Sequence, residues 1–180
     1  MGLFAETRVR IGLSTPVLEQ YDYLALSVRD IPERQRLQTI HRSIRRADLV
    51  VIVIGTYTFQ KPWAYDAIVY AVKEDKALGC IDQTNIYDGW SSEITTGPSP
   101  LTYTKWAIHE GKLALYTLNP YLDVLWTKRL TVPHNAVHYR FPSQTGLLGD
   151  IFPCYDWVFE NGARNLPQWI ATWLHNAGKS

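Results

Sequence analysis

Six consecutive apolar residues, Leu49-Val50-Val51-Ile52-Val53-Ile54, constrain this chain more than any other stretch. A strand with one solvated face alternates apolar and polar side chains, whereas a run with no polar residue on either face belongs to a parallel strand covered on both sides. Gly55 ends the run. The turn Thr56-Tyr57-Thr58-Phe59-Gln60-Lys61-Pro62 then delivers Trp63 to the first turn of a helix, where Pro62 is tolerated because no N–H is needed there. In open α/β sheets ligands bind outside the carboxyl ends of the strands. The loop Thr56–Lys61 and the first helical turn Trp63–Ala67 are therefore the first place to look for a site.

The neighbouring segments fit around this unit. Arg8–Ser14 alternates Val9, Ile11 and Leu13 with polar or small residues and reads as a strand, and Tyr23–Val28 as a second. The segment Thr15–Gln20 between them is too short for a parallel crossover. Either the first helix of the fold is absent, or Gly2–Leu13 is helical and the first strand is missing or formed differently. Asp30 as N-cap, Pro32 in the first turn and Glu33 as its capping-box partner predict a helix with Leu37, Ile40, Ile44 and Ala47 on its apolar side. Arg34, Arg36, Arg42, Arg45 and Arg46 on its other sides read as a solvated face, since no aromatic residues interleave with them.

The helix after the central strand is expected over Trp63–Asp75, with Ala64, Ile68, Ala71 and Val72 facing the sheet. Trp63, Asp66, Ala67 and Tyr70 share another edge, pointing toward the strand ends. Lys76–Ile81 reads as the next parallel strand, and the polar loop Asp82–Pro100 would form one wall of the same cleft. Thr102–Ile108 and Lys112–Leu118 around His109-Glu110-Gly111 read as a hairpin, and Tyr121–Leu130 as strand or helix, with Val124, Trp126 and the β-rich surroundings favouring a strand. Asn161-Gly162 marks a turn. Leu166, Trp169, Ile170, Trp173 and Leu174 form the apolar face of a closing helix opened by Pro167.

A chain of 180 residues is expected to be one domain with a proper core. Its net charge of +1, with mixed signs, carries no electrostatic footprint for nucleic acid. No apolar run approaches the roughly 20 residues of a membrane helix, and the first residues lack a signal peptide's apolar stretch, so the expectation is a cytoplasmic protein without a membrane partner. Cys80 and Cys154, without a local spacing motif, read as reduced core residues. His134 and His138 have a metal-ligand spacing only on a helix, and Pro133, Tyr139 and Phe141 around them suggest strand or loop, so no metal is expected. A Gly-rich phosphate loop and a Gly-x-Ser-x-Gly elbow are both absent from the sequence.

Two blocks, IGTYTFQKPWAYDAI and CYDWVFENGARNLPQW, resemble the TIR-like proteins of bacterial Thoeris anti-phage defence systems. That family pairs a strand ending in Ile-Gly with a Thr-rich loop and a Trp-x-x-x-Glu helix start. Later it has a Tyr-Asp-Trp-Val segment, then Asn/Asp-Gly and a Trp-containing helix. The resemblance covers the chain from Tyr23 onward and leaves residues 1–22 poorly matched. It implies a single TIR-like domain over 1–180, with a flavodoxin-like parallel sheet flanked by helices and a loop and β-rich insertion over 82–150. It also implies an enzyme that cleaves NAD, its substrate, into an ADP-ribose-derived signal that diffuses to a separate effector. Self-association through TIR–TIR contacts and a phage protein as trigger belong to the same expectation.

The family's helix-start glutamate has no counterpart here: in Trp63-Ala64-Tyr65-Asp66-Ala67, alanine occupies its place. A deliberate Glu-to-Ala replacement, a naturally inactive member, and a register slip with Asp66 doing the work all remain open. By the resemblance, position 67 with Asp66 and Trp63 is the catalytic locus, and Ser14, Asp30, Thr56, Tyr57, Thr58 and Phe59 are the nucleotide-contacting candidates. A carboxylate there would offset the positive charge that builds on the ribose as the glycosidic bond breaks. The rival expectation is a non-enzymatic TIR-like module that binds a phage or partner protein through its aromatic surface.

Overall fold

The computed structural model describes residues 32–83, 97–118 and 125–179. The strands expected at Arg8–Ser14 and Tyr23–Val28, the candidates Ser14 and Asp30, and most of the loop after Asp82 lie outside the described residues. In chain order the first elements are α1 (Glu33–Arg46), β1 (Leu49–Ile54), α2 (Pro62–Lys73) and β2 (Ala77–Asp82). Then come β3 (Thr104–His109), β4 (Lys112–Leu118), β5 (Trp126–Pro133) and β6 (Thr145–Leu147). The chain closes with α3 (Leu148–Ile151), β7 (Cys154–Asp156) and α4 (Gly162–Asn176).

The fold is α/β. A parallel sheet runs in the order β1-β2-β7, flanked by helices, and an antiparallel sheet runs β5-β4-β3-β6. The antiparallel sheet is inserted in sequence between two parallel neighbours, β2 and β7. Every residue of β1 is buried, as the unbroken apolar run requires. On one face of β2 a Cβ added at Gly79 would lie 2.6 Å from the Trp173 ring of α4, so only glycine permits that approach. On the other face Cys80 lies 3.3 Å from the Ser99 hydroxyl, next to the short 3-10 turn Pro100–Tyr103. One core joins both sheets: Ile52, Ile68, Leu78, Trp106, Leu115 and Trp173 belong to the same buried cluster.

Helix α1 starts at Glu33 with Pro32 at the N-cap position, later than the Asp30 start expected from the capping-box pattern. Pro32 carbonyl accepts from Gln35 and Arg36 N–H, which fixes the first turn without a side-chain cap. Ile40, Ile44 and Ala47 are buried as expected, but Leu37 is 46% exposed, because the first turns reach beyond the core. His41 stacks on Tyr70 of α2 with ring centroids 3.6 Å apart, and Arg45 Nε donates to the Tyr70 hydroxyl at 2.7 Å.

Helix α2 ends two residues before the expected Asp75. Asp75 N–H bonds Val72 O and Lys76 N–H bonds Ala71 O, a Schellman closure whose left-handed position is filled by Asp75 at φ +52°. Glycine is the usual occupant, and the aspartate has a second use. Its carboxylate accepts from His138 N–H at 2.9 Å, faces His138 Nδ1 at 2.9 Å and takes Lys179 Nζ at 3.1 Å. Tyr139 adds a hydroxyl donated to Lys76 O. These bonds tie the α2–β2 turn, the strap 137–140 and the end of the described chain together.

The hairpin β3–β4 turns through Glu110 (φ +48°) and Gly111 (φ +70°), the two left-handed residues that match strand twist. In β5 the pairing steps from Tyr116↔Lys128 to Leu115↔Leu130, leaving Arg129 as the extra residue of a β-bulge. Helix α4 begins at Gly162, after Asn161 at φ +50°, and not at Pro167, which lies inside it. His134 falls in a 3-10 turn and His138 in the strap that follows.

Candidate functional site

The three parallel strands deliver three loops to one edge. β1 leaves through Gly55, whose N–H donates to Thr58 Oγ1 at 2.8 Å while Thr58 N–H returns to Gly55 O at 3.1 Å. Thr58 is thereby buried and occupied in holding the turn. Phe59 carbonyl accepts from the Tyr65 hydroxyl at 2.6 Å, and the Phe59 ring lies against Tyr103. Burial pushes the Tyr65 hydroxyl well above its ordinary value, so it is a fixed donor and not a titrating group. Tyr57, at the tip of the turn, is 63% exposed. Thr56 beside it is partly exposed, so of the four expected loop contacts Tyr57 presents most surface to solvent.

β2 leaves through Asp82 and Gln83. Gln83 N–H donates to Ile54 O at 3.2 Å, extending the parallel ladder by one rung. Its side chain is buried, and Oε1 has no hydrogen-bond partner among the described residues. A buried amide oxygen left without a donor is costly, and such groups mark places where a water or ligand is accommodated. β7 leaves through Asp156, which stands in register with Asp82 on the adjacent strand. Asp156 Oδ1 accepts from Val158 N–H at 2.8 Å and Phe159 N–H at 2.7 Å, and Glu160 Oε1 accepts from Asp156 N–H at 2.9 Å. Phe159 is left 80% exposed. With strands spaced about 4.8 Å apart, the β1 and β7 loops flank the Asp82–Gln83 exit of β2 between them.

The expected catalytic locus has a different setting. Trp63 is buried and Ala67 is fully buried within the core. Asp66 is half-buried and forms an ion pair with Arg129, whose Nη1 also donates to Thr117 Oγ1 at 3.3 Å. The α2 edge thus faces β5 and is closed by a guanidinium. Arg129 escaped sequence reasoning because its direction is set by the bulge, and bulges leave no mark in residue pattern. Asp82 and Gln83 open the loop expected as a wall of the cleft, whereas Asp156 escaped sequence reasoning because its place beside Asp82 depends on strand order.

Chemically, the edge combines two exposed aromatic rings suited to stacking on a flat ligand, a buried acceptor for one donor, and two carboxylates in register. Among the described residues no group of three or more His, Cys, Asp or Glu is placed to hold a metal. No helix of the described residues is long and apolar enough to cross a membrane. Comparison with protein-family models and with curated proteins finds no match for this chain.

Proposed function

We propose that this chain is a TIR-like domain of an anti-phage defence system, built on a scaffold that in its relatives cleaves NAD into an ADP-ribose-derived signal for a separate effector. One observation carries the reading. The two blocks of resemblance, around Gly55–Ile68 and Cys154–Trp169, are far apart in sequence yet meet across one strand, β2, and send their loops to the same edge. A nucleotide held there would stack on Tyr57 or Phe159. The chain itself carries no carboxylate at position 67, and the Asp66 carboxylate is engaged by Arg129. We therefore read it as catalytically silent when alone, in the cytoplasm, with self-association as the route by which such domains complete a site.

The second reading, a binding module for a phage or partner protein, draws on the same exposed Tyr57, Val158 and Phe159. Nicotinamide release from NAD by this chain and by Ala67→Glu, at high protein concentration, separates the two. The enzyme reading expects turnover only in the glutamate variant, with this chain slower by a factor of about 100 or more. Circular dichroism must show that the variant folds, because its carboxylate enters a fully buried position. A folded variant without turnover sinks the enzyme reading and leaves the binding module.

A further inference from the structure

The chain has two cysteines, and the fold sets both at the same level of adjacent strands: Cys80 of β2 pairs in register with Cys154 of β7. Nothing in the sequence spacing foreshadows this, since they lie on either side of the whole antiparallel sheet. Both side chains point to the same face, because in-register residues of parallel neighbours do so. The opposite face is the one Gly79 turns to Trp173, and Tyr155 stacks on Trp169. The two thiols are neighbours across the strand pair, and Cys80 meets Ser99 Oγ at 3.3 Å. Cys80 is fully buried, whereas Cys154 is partly exposed.

We propose that Cys80 and Cys154 are a dithiol modification site, closed to an intramolecular disulfide by a hydroperoxide and reopened by cellular thiols. The partly exposed Cys154 thiolate attacks the peroxide, giving a sulfenic acid and releasing hydroxide, which takes up the thiol proton as water. The Cys80 thiol then attacks the Cys154 sulfur, the S–O bond breaks, and the oxygen leaves as a second water. Two thiols and one hydrogen peroxide become one disulfide and two waters.

Strand spacing of about 4.8 Å falls within the range of Cα separations that a disulfide spans, but parallel in-register side chains start slightly too far apart at Cβ. The bond therefore forms with some strain, and strained bonds are the readily reduced ones. The neighbouring Cys80, then burial, raise the Cys154 thiol above its ordinary value. The thiolate fraction is small, so the pair responds to sustained oxidation and not to a brief pulse. The cysteines sit one pleat below Asp82 and Asp156, so closing the bond draws in the floor of the carboxyl-edge site.

The test is to expose the folded chain, and the same chain in urea, to hydrogen peroxide, then to block free thiols and map peptides by mass. The folded monomer is expected to give a Cys80–Cys154 linked peptide about 2 Da lighter than the two thiol peptides, lost on reduction with dithiothreitol. Of the chains oxidised at Cys154, the ratio of intramolecular disulfide to sulfinic acid and interchain product should be at least about tenfold higher in the folded chain than in urea, where the sulfurs meet only by chain diffusion. Recovery of both cysteines as free thiols, oxidation stopping at sulfinic acid on Cys154, linkage between two chains, or the same product ratio in urea would each overturn the proposal. Cys80→Ser supplies a second check: Cys154 should then overoxidise or capture added glutathione, and protection in that variant counts against the pair.

Discussion

β1 and β5 are both strands of one molecule, and they satisfy their backbones in opposite surroundings. β1 is buried along its whole length, covered on both faces. In β5 only Leu130 and Val132 are even half-buried, and Trp126 to Arg129 lie open. A parallel strand covered on both faces, such as β1, derives its stability from what lies above and below it, whereas β5, at the end of its sheet among the described residues, derives it from β4 and a few contacts reaching inward. The edge is protected in familiar ways: Lys128 and Arg129 place charge on it and Pro133 ends it.

The sharpest way to break the contrast is to remove a side chain on which the parallel layer depends. Trp173 is fully buried, lies against Gly79 and donates its indole N–H to Pro153 O at 3.0 Å. Trp173→Ala is expected to cost about 3–5 kcal/mol, read from urea unfolding. A reciprocal exchange of nearly identical side chains tests the contrast itself. Val51→Thr places a hydroxyl in the buried strand and is expected to cost about 1–3 kcal/mol, whereas Thr131→Val on the exposed strand should stay within about 0.5 kcal/mol. Equal effects would show that the two strands do not differ energetically as they do in burial.

The smallest effect concerns the strap that joins the layers. Burial by itself would raise the Asp75 carboxyl, but the hydrogen bonds from His138 and Lys179 outweigh it and hold it below the ordinary carboxylate range. The folded value is the lower one, so this stabilisation is complete above the ordinary value of about 4 and is lost as pH falls through the folded value. Asp75→Asn keeps a residue that tolerates the left-handed turn while removing the charge. At neutral pH it should cost up to about 1 kcal/mol, and as pH falls below about 4 its stability should decline less steeply than that of the parent chain.

How much of this was legible depended on whether a feature was local. The apolar run of β1 and the Glu110-Gly111 hairpin declare themselves within a few residues, and both formed where expected. The start of α4 was misplaced because Pro167 looks like an opener. The helix tolerates it in its interior and lets Asn161, in a left-handed conformation, make the entry. Leu37 kept helical spacing but not burial, since periodicity gives a face and not the extent of the core behind it. At the carboxyl edge, the β1 loop was legible from its position after a strand. The wall that begins at Asp82 and Gln83 was legible in the same way, but Asp156 arrives beside it through strand order, which residue pattern does not encode.

The bulge at Arg129 does more than aim one guanidinium. Trp126, Lys128, Leu130 and Val132 are all even-numbered, and an uninterrupted ladder would put all four on one side of the sheet. Across the bulge they part company: Lys128 sits over the Tyr116 ring on one side, and Leu130 pairs with buried Leu115 on the other. One uncounted residue has changed the parity of the strand, so that its first half displays what its second half would conceal. Ironing out the bulge with Arg129 retained would act as a phase slip and turn half of β5 over with no change in composition, whereas deleting Arg129 would close the ladder regularly, Lys128 against Tyr116 and Leu130 against Leu115, with every face kept.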